Sequence, residues 1–148
     1  MAKDYYAPMH TTEHILNQTM VRMFQCERSF SNHIEKKKSK CDYHFNRDLG
    51  TEEIQHIEKV VNSELRKNHQ VSESFISLDV AKSRFNIERL PDPTIDSVRV
   101  INIGDYDSCL CIGEHVNNTE SIRGNFKIIS SSFDNNVLRL RFKLIDEI

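Results

Sequence analysis

The sequence predicts an α+β fold, an antiparallel sheet packed with a few helices, and three observations lead there. Residues 9–27, and a second segment starting at Thr51, carry apolar residues at helical spacing. Three strand signals close the chain: "SVRVINI", "FKIISSS" and "NVLRLRFKLI". The order is therefore helix, hairpin, helix, then mostly strands, which is the pattern of an α+β domain.

Each element has a local reason. In the first helix Pro8 suits the opening turn, and Leu16, Met20, Met23 and Phe24 define one apolar stripe. "SFSNHIE" and "KCDYHFN" flank the lysine run "KKKSK" at 36–40 and read as the strands of a hairpin. Thr51 is expected to cap the second helix, with Glu52 and Glu53 favourably placed in its first turn. Ile54, Ile57, Val61 and Leu65 form that helix's buried side. A strand near 71–77 and a short helix near 78–85 follow, and "RLPDP" at 89–93 is the strongest punctuation in the chain. The last strand alternates, with Val137, Arg139, Arg141 and Lys143 on one face and Leu138, Leu140 and Phe142 on the other.

Composition narrows the function classes. The 148 residues suit a single domain spanning 1–148, and 38% apolar with 28% charged residues suits a water-soluble one. No run of about 18 apolar residues is present, and "MAKDYYAPMH" lacks the apolar core of a secretory signal, so a cytoplasmic location is expected. In that reducing compartment Cys26, Cys41, Cys109 and Cys111 serve packing, metal binding or chemistry rather than disulfides. A formal net charge of −2 argues against non-specific binding along a nucleic-acid duplex. The lysine run reads either as a local basic patch or as a solvated hairpin turn.

Two histidines, His10 and His14, stand four apart on the first helix, on a face about 80–120° from the centre of its apolar stripe. Side chains at that spacing stack one turn apart and can converge on one ion. About a hundred residues later, Cys111 and His115 repeat the spacing in "DSCLCIGEHV". Three imidazoles and one thiolate suit Zn²⁺, which accepts both donor types. Gly113 would let the backbone turn so that both later donors reach one side. Cys109 is a rival donor, since in a strand it shares a face with Cys111, and Cys111 itself also reads as a buried strand cysteine.

"HTTEH" at 10–14, "VRVINIGDYDSCLCIGEHV" at 98–116 and "GNFKIIS" at 124–130 resemble the editing domain of alanyl-tRNA synthetases. The resemblance is closest to its free-standing relatives, the AlaX-type trans-editing proteins, and threonyl-tRNA synthetases carry a related domain. It runs from about residue 9 to the end, in the expected order H-x-x-x-H then C-x-x-x-H. It implies a Zn²⁺ site at His10, His14, Cys111 and His115. Synthetase-borne members read C-G-G-T-H where this chain has Cys111-Ile112-Gly113-Glu114-His115, and "TESIRG" at 119–124 stands where T-G-E-I-G is usual, with one extra residue. The length leaves no room for a synthetase catalytic core, so the chain is not expected to charge tRNA.

The resemblance implies a hydrolase that cleaves seryl- or glycyl-tRNA of alanine identity. Glu114 then reads either as a general base beside two ligands or as a solvated loop glutamate. Thr11 falls on the histidine face and can hydrogen-bond water or the substrate's hydroxyl. Lys36, Lys37, Lys38, Arg139, Arg141 and Lys143 are the expected contacts to acceptor-stem phosphates. The alternative is a zinc-stabilised module that binds a tRNA end or a protein without hydrolysis; a metal-free scaffold is a third reading.

Overall fold

The computed structural model describes residues 6–85, 97–111 and 113–145, so the "RLPDP" stretch and Ile112 lie outside the described residues. The elements run α1 (Ala7–Phe24), β1 (Ser31–His33), β2 (Ser39–His44), α2 (Thr51–Arg66), β3 (Val71–Ser77) and α3 (Leu78–Arg84). They continue with β4 (Ser97–Ile103), β5 (Asp107–Leu110), a 3-10 turn at Thr119–Ser121, β6 (Asn125–Asp134) and β7 (Val137–Ile145). Among the described residues no helix is long and apolar enough to cross a membrane.

The α+β class is as expected, but the strands form two antiparallel sheets, β1-β2-β7-β6 and β3-β4-β5. The second exists because β4 pairs on both sides, with β3 along seven residue pairs and with the four-residue β5. β5 carries no Val, Ile or Thr, so strand propensity could not mark it. The β6–β7 hairpin closes on Asn135 and Asn136, both in the left-handed region (φ 52° and 63°), the backbone a two-residue hairpin turn needs and Asn tolerates. A register shift between Ile128 and Ser130 leaves Ile129 facing outward at 44% exposure.

Both long helices follow their apolar periodicity, with corrected ends. α1 stops at Phe24 rather than 27, because Gln25 takes a left-handed conformation and donates its N–H to Val21 O. α2 begins at Thr51, but the cap position is Gly50, whose N–H donates to Glu53 Oε1 at 2.9 Å; Thr51 does not cap. Ile57, Val61 and Leu65 of α2 are completely buried, worth about 1.5–3 kcal/mol each, and Ile54 is partly so.

α1 departs further from the amphipathic picture. From Met9 to Met20 every residue but Gln18 is buried, including Thr11, Thr12, Glu13 and Asn17. Met9, Ile15, Leu16 and Met20 join one core with Tyr43 of β2, Ile101 and Ile103 of β4, and Leu138, Leu140 and Phe142 of β7. The polar face of α1 therefore looks into the protein, and whatever it carries must find partners there.

Candidate metal centre

α1 presents His10 and His14 one turn apart, with only 7% and 3% of their surface exposed. The facing donors sit just beyond β5, on a segment that Arg99 of β4 clamps. Its guanidinium donates to Cys111 O at 3.2 Å and Gly113 O at 2.8 Å, while Glu73 holds its Nε at 2.6 Å. The result brings one donor atom each from His10, His14, Cys111 and His115 within 4.8 Å of one another. Cys109, the rival donor, does not join them; its thiol is directed at Leu110 O.

Hydrogen bonds fix the ring orientations. His10 Nδ1 lies 3.1 Å from Glu114 O; a carbonyl only accepts, so Nδ1 carries a proton, and Nε2 is the nitrogen that faces Cys111 Sγ, 3.4 Å away. His115 Nε2 also lies 3.4 Å from that sulfur, and its Nδ1 is 3.0 Å from Thr11 Oγ1. The rings of His10 and His115 stack at 4.2 Å. His14 sits between two carboxylates, with Nδ1 3.5 Å from Asp107 Oδ2 and Nε2 3.6 Å from Glu13 Oε2. Its buried Nδ1 makes no hydrogen bond of normal length.

The electrostatics suit a cation. Burial alone would raise the Cys111 thiol, but hydrogen bonds with His10, His115 and His14 prevail and hold its pKa at about 3, so it is a thiolate. Burial lowers His115 to about 4, reinforced by the neighbouring histidines, which keeps that imidazole neutral. Burial opposes protonation of His14 as well, yet Asp107, Cys111 and Glu13 together raise it well above its ordinary value. A cation entering here displaces the His14 proton and meets one thiolate and three imidazoles.

The donor set passes a simple metric test. With the sulfur and nitrogen bond lengths usual at zinc, about 2.3 and 2.0–2.1 Å, a tetrahedron has S···N edges of about 3.5 Å. Two of these edges, Cys111 Sγ to His10 Nε2 and to His115 Nε2, are 3.4 Å here. These two edges and the donor chemistry suit zinc, and all four donor atoms lie within 4.8 Å of one another.

Other residues singled out from the sequence stand elsewhere. The Glu114 side chain is exposed, and its contribution to the cluster is the backbone carbonyl. Thr11 is fully buried, its hydroxyl engaged by His115 and by Val116 N–H at 3.2 Å. Lys36, Lys37 and Lys38 are exposed between β1 and β2. Arg139 is clasped by Asp42, at 2.7 and 3.1 Å, and Lys40 shares that carboxylate at 2.8 Å. Arg141 is half-buried and Lys143 exposed on the same face of β7.

Four residues of the surroundings have no signature in the sequence: Glu13, Arg28, Arg99 and Asp107. Asp107 is 3% exposed and accepts from Arg28 at 2.7 and 3.3 Å and from Gln18 at 2.8 Å. Burial would raise its pKa, but His14 and Arg28 hold it well below the usual carboxylate range.

Residues 98–140 match the family model described as the threonyl and alanyl tRNA synthetase second additional domain. An alanine–tRNA ligase of Pseudoalteromonas translucida (strain TAC 125) is 33% identical over 124 residues, covering 83% of this chain and 14% of the relative. Those of Nitrosomonas eutropha and Colwellia psychrerythraea are 28% and 31% identical over 130 residues, with the same coverage of each chain. The chain thus spans 14% of the length of these curated relatives.

Proposed function

Since the chain is a relative of the threonyl and alanyl tRNA synthetase second additional domain, we propose that it is a zinc-dependent trans-editing hydrolase that deacylates mischarged tRNA. The substrate is seryl- or glycyl-tRNA of alanine identity, met in the cytoplasm. The observation that carries this reading is the meeting of His10, His14, Cys111 and His115 in a chain similar to alanine–tRNA ligases over 83% of its length.

Hydrolysis adds the water oxygen to the ester carbonyl, breaks its bond to the terminal ribose oxygen, and returns a proton to that oxygen. Zinc held by His10, His14, Cys111 and His115 would supply Lewis acidity toward the ester only with one of the four donors displaced, since all four together fill a tetrahedron. The protein's own part is to keep that environment rigid. Arg99 ties down the loop carbonyls, His10 is anchored on Glu114 O, and Thr11 holds the His115 ring. We assign Glu114, exposed on this loop, as the carboxylate that receives the proton of the attacking water. Phosphate contacts are assigned to Lys36, Lys37, Lys38 and Arg141, with Arg139 reduced by its pairing to Asp42.

Purified protein and seryl-, glycyl-, alanyl- and threonyl-tRNA test the reading. Seryl-tRNA of alanine identity is expected to be cleaved much faster than alanyl-tRNA. A site that hydrogen-bonds the serine hydroxyl leaves polar groups unpaired when alanine enters. Cleavage of no ester above the spontaneous rate would remove the hydrolase reading. One observation favours a second reading, a non-hydrolytic tRNA-end or protein-binding module: four protein donors are enough to close a tetrahedral site. Tight binding of tRNA without turnover is the result that selects it.

A further inference from the structure

Charge bookkeeping at the cluster leaves a remainder. A divalent ion among one thiolate and three neutral imidazoles gives a centre with a net single positive charge. His10 and His14 are almost fully buried, so that charge is poorly solvated. The nearby Asp107 carboxylate is already matched by the bidentate Arg28 guanidinium. Glu13 is different. It is 4% exposed, its Oε2 has no hydrogen-bond partner, and that oxygen lies 3.6 Å from His14 Nε2. No Lys or Arg forms an ion pair with it among the described residues. The charged partner Glu13 has is His14, and an ion that displaces the His14 proton leaves this buried carboxylate beside the metal, whose charge offsets it.

We propose that Glu13 is the charge-balancing residue of the metal centre: lying beside His14 and outside the four donors, its carboxylate makes the site electrically neutral with a divalent ion and so favours divalent over monovalent metals. The inference rests on the metal centre of the proposed function. It adds a residue outside the ligand set and a selectivity that the ligand set alone does not provide. A monovalent soft ion such as Cu⁺, which thiolate and imidazole donors also suit, is already neutralised by Cys111. For that ion Glu13 supplies a surplus negative charge.

The test compares the two charges of ion in metal-free protein. Co²⁺ is titrated by its visible absorption, and Cu⁺ anaerobically against a competing chelator. Glu13→Gln keeps the shape and removes the charge. It is expected to weaken Co²⁺ by roughly 10- to 100-fold, the range for partners just outside a ligand set, while Cu⁺ changes by less than about threefold. Glu13→Asp, which restores the charge, is expected to recover most of the Co²⁺ affinity. Unchanged Co²⁺ affinity in Glu13→Gln overturns the proposal. So does a parallel loss of both ions, which would mark Glu13 as a packing residue. If Glu13→Gln does not fold, Glu13→Asp decides: near-wild-type Co²⁺ affinity supports the proposal, and parallel loss of both ions overturns it. Wild-type protein that binds neither ion overturns the metal centre itself, a result distinct from the others.

Discussion

The Thr11 hydroxyl and His115 Nδ1 meet at 3.0 Å across 104 positions of sequence. Thr11 also accepts from Val116 N–H, so its oxygen is committed to the loop that carries His115. From the sequence alone Thr11 was a candidate for touching water or substrate; in the fold it stands behind a ring that faces Cys111. Thr11→Val is therefore expected to weaken metal binding by about 10- to 100-fold, with Thr11→Ser close to wild type. Competition titration of the metal-free protein checks this, and equal affinities in all three proteins would refute it.

Gly113 is needed for space. A Cβ built on it would run into Cε1 and Nδ1 of the His10 ring, and Gly113 lies outside the left-handed region. Gly113→Ala is expected to push the ring or the loop aside, costing about 1–3 kcal/mol of stability and most of the bound metal. Urea denaturation and elemental analysis measure the two effects separately. A variant with wild-type stability and metal content would show that the ring moves freely.

The Asp42–Arg139 pair makes stability depend on pH. The Arg139 hydrogen bonds, aided by Lys40, hold the Asp42 carboxyl below its ordinary value against the effect of burial. A depressed folded-state pKa means stability that is fully present above the unfolded value of about 3.9 and is lost as pH falls through the folded one. Asp42→Asn should accordingly lower stability at neutral pH and flatten its fall below about pH 4 relative to wild type. Urea midpoints measured from pH 2 to 7 give the comparison; parallel curves would assign the acid sensitivity to other groups.

Lys36, Lys37 and Lys38 are open to solvent, whereas Arg139 is engaged. Alanine at all three lysines is expected to weaken tRNA binding alike for every tRNA and to reduce the salt slope by about 2 to 3. Arg139→Ala alone should change that slope little, because its charge is already matched by Asp42. Affinity against salt concentration reads both. An unchanged slope in the triple variant would make the run a solvated turn.

Periodicity was the legible part of the fold. The apolar spacing of α2 and the alternation of β7 name their buried residues correctly, down to Ile57, Val61, Leu65, Leu138, Leu140 and Phe142. Where structure depends on distant partners, the sequence is silent. β5 is a strand only because β4 pairs with it, and α1 ends at Gln25 without the glycine that would announce it. The same division runs through the candidate metal centre. The four donors are visible as two i,i+4 pairs, while Asp107, Arg28, Arg99 and Glu13 are ordinary charged residues until the chain folds them around His14 and Cys111.

The two halves of the cluster, His10 and Cys111, are 101 positions apart, and this sets a timetable for biosynthesis. At about 5–20 residues per second, a ribosome adds Cys111 roughly 5 to 20 s after His10. During that interval the emerging chain offers any ion only the histidine pair of a helix that still lacks its β4 and β5 neighbours. Loading of the proposed metal site would thus follow synthesis of the segment that carries Cys111 and His115. A chain truncated before Cys111 would leave the ribosome with His10 and His14 alone, half of the proposed donor set.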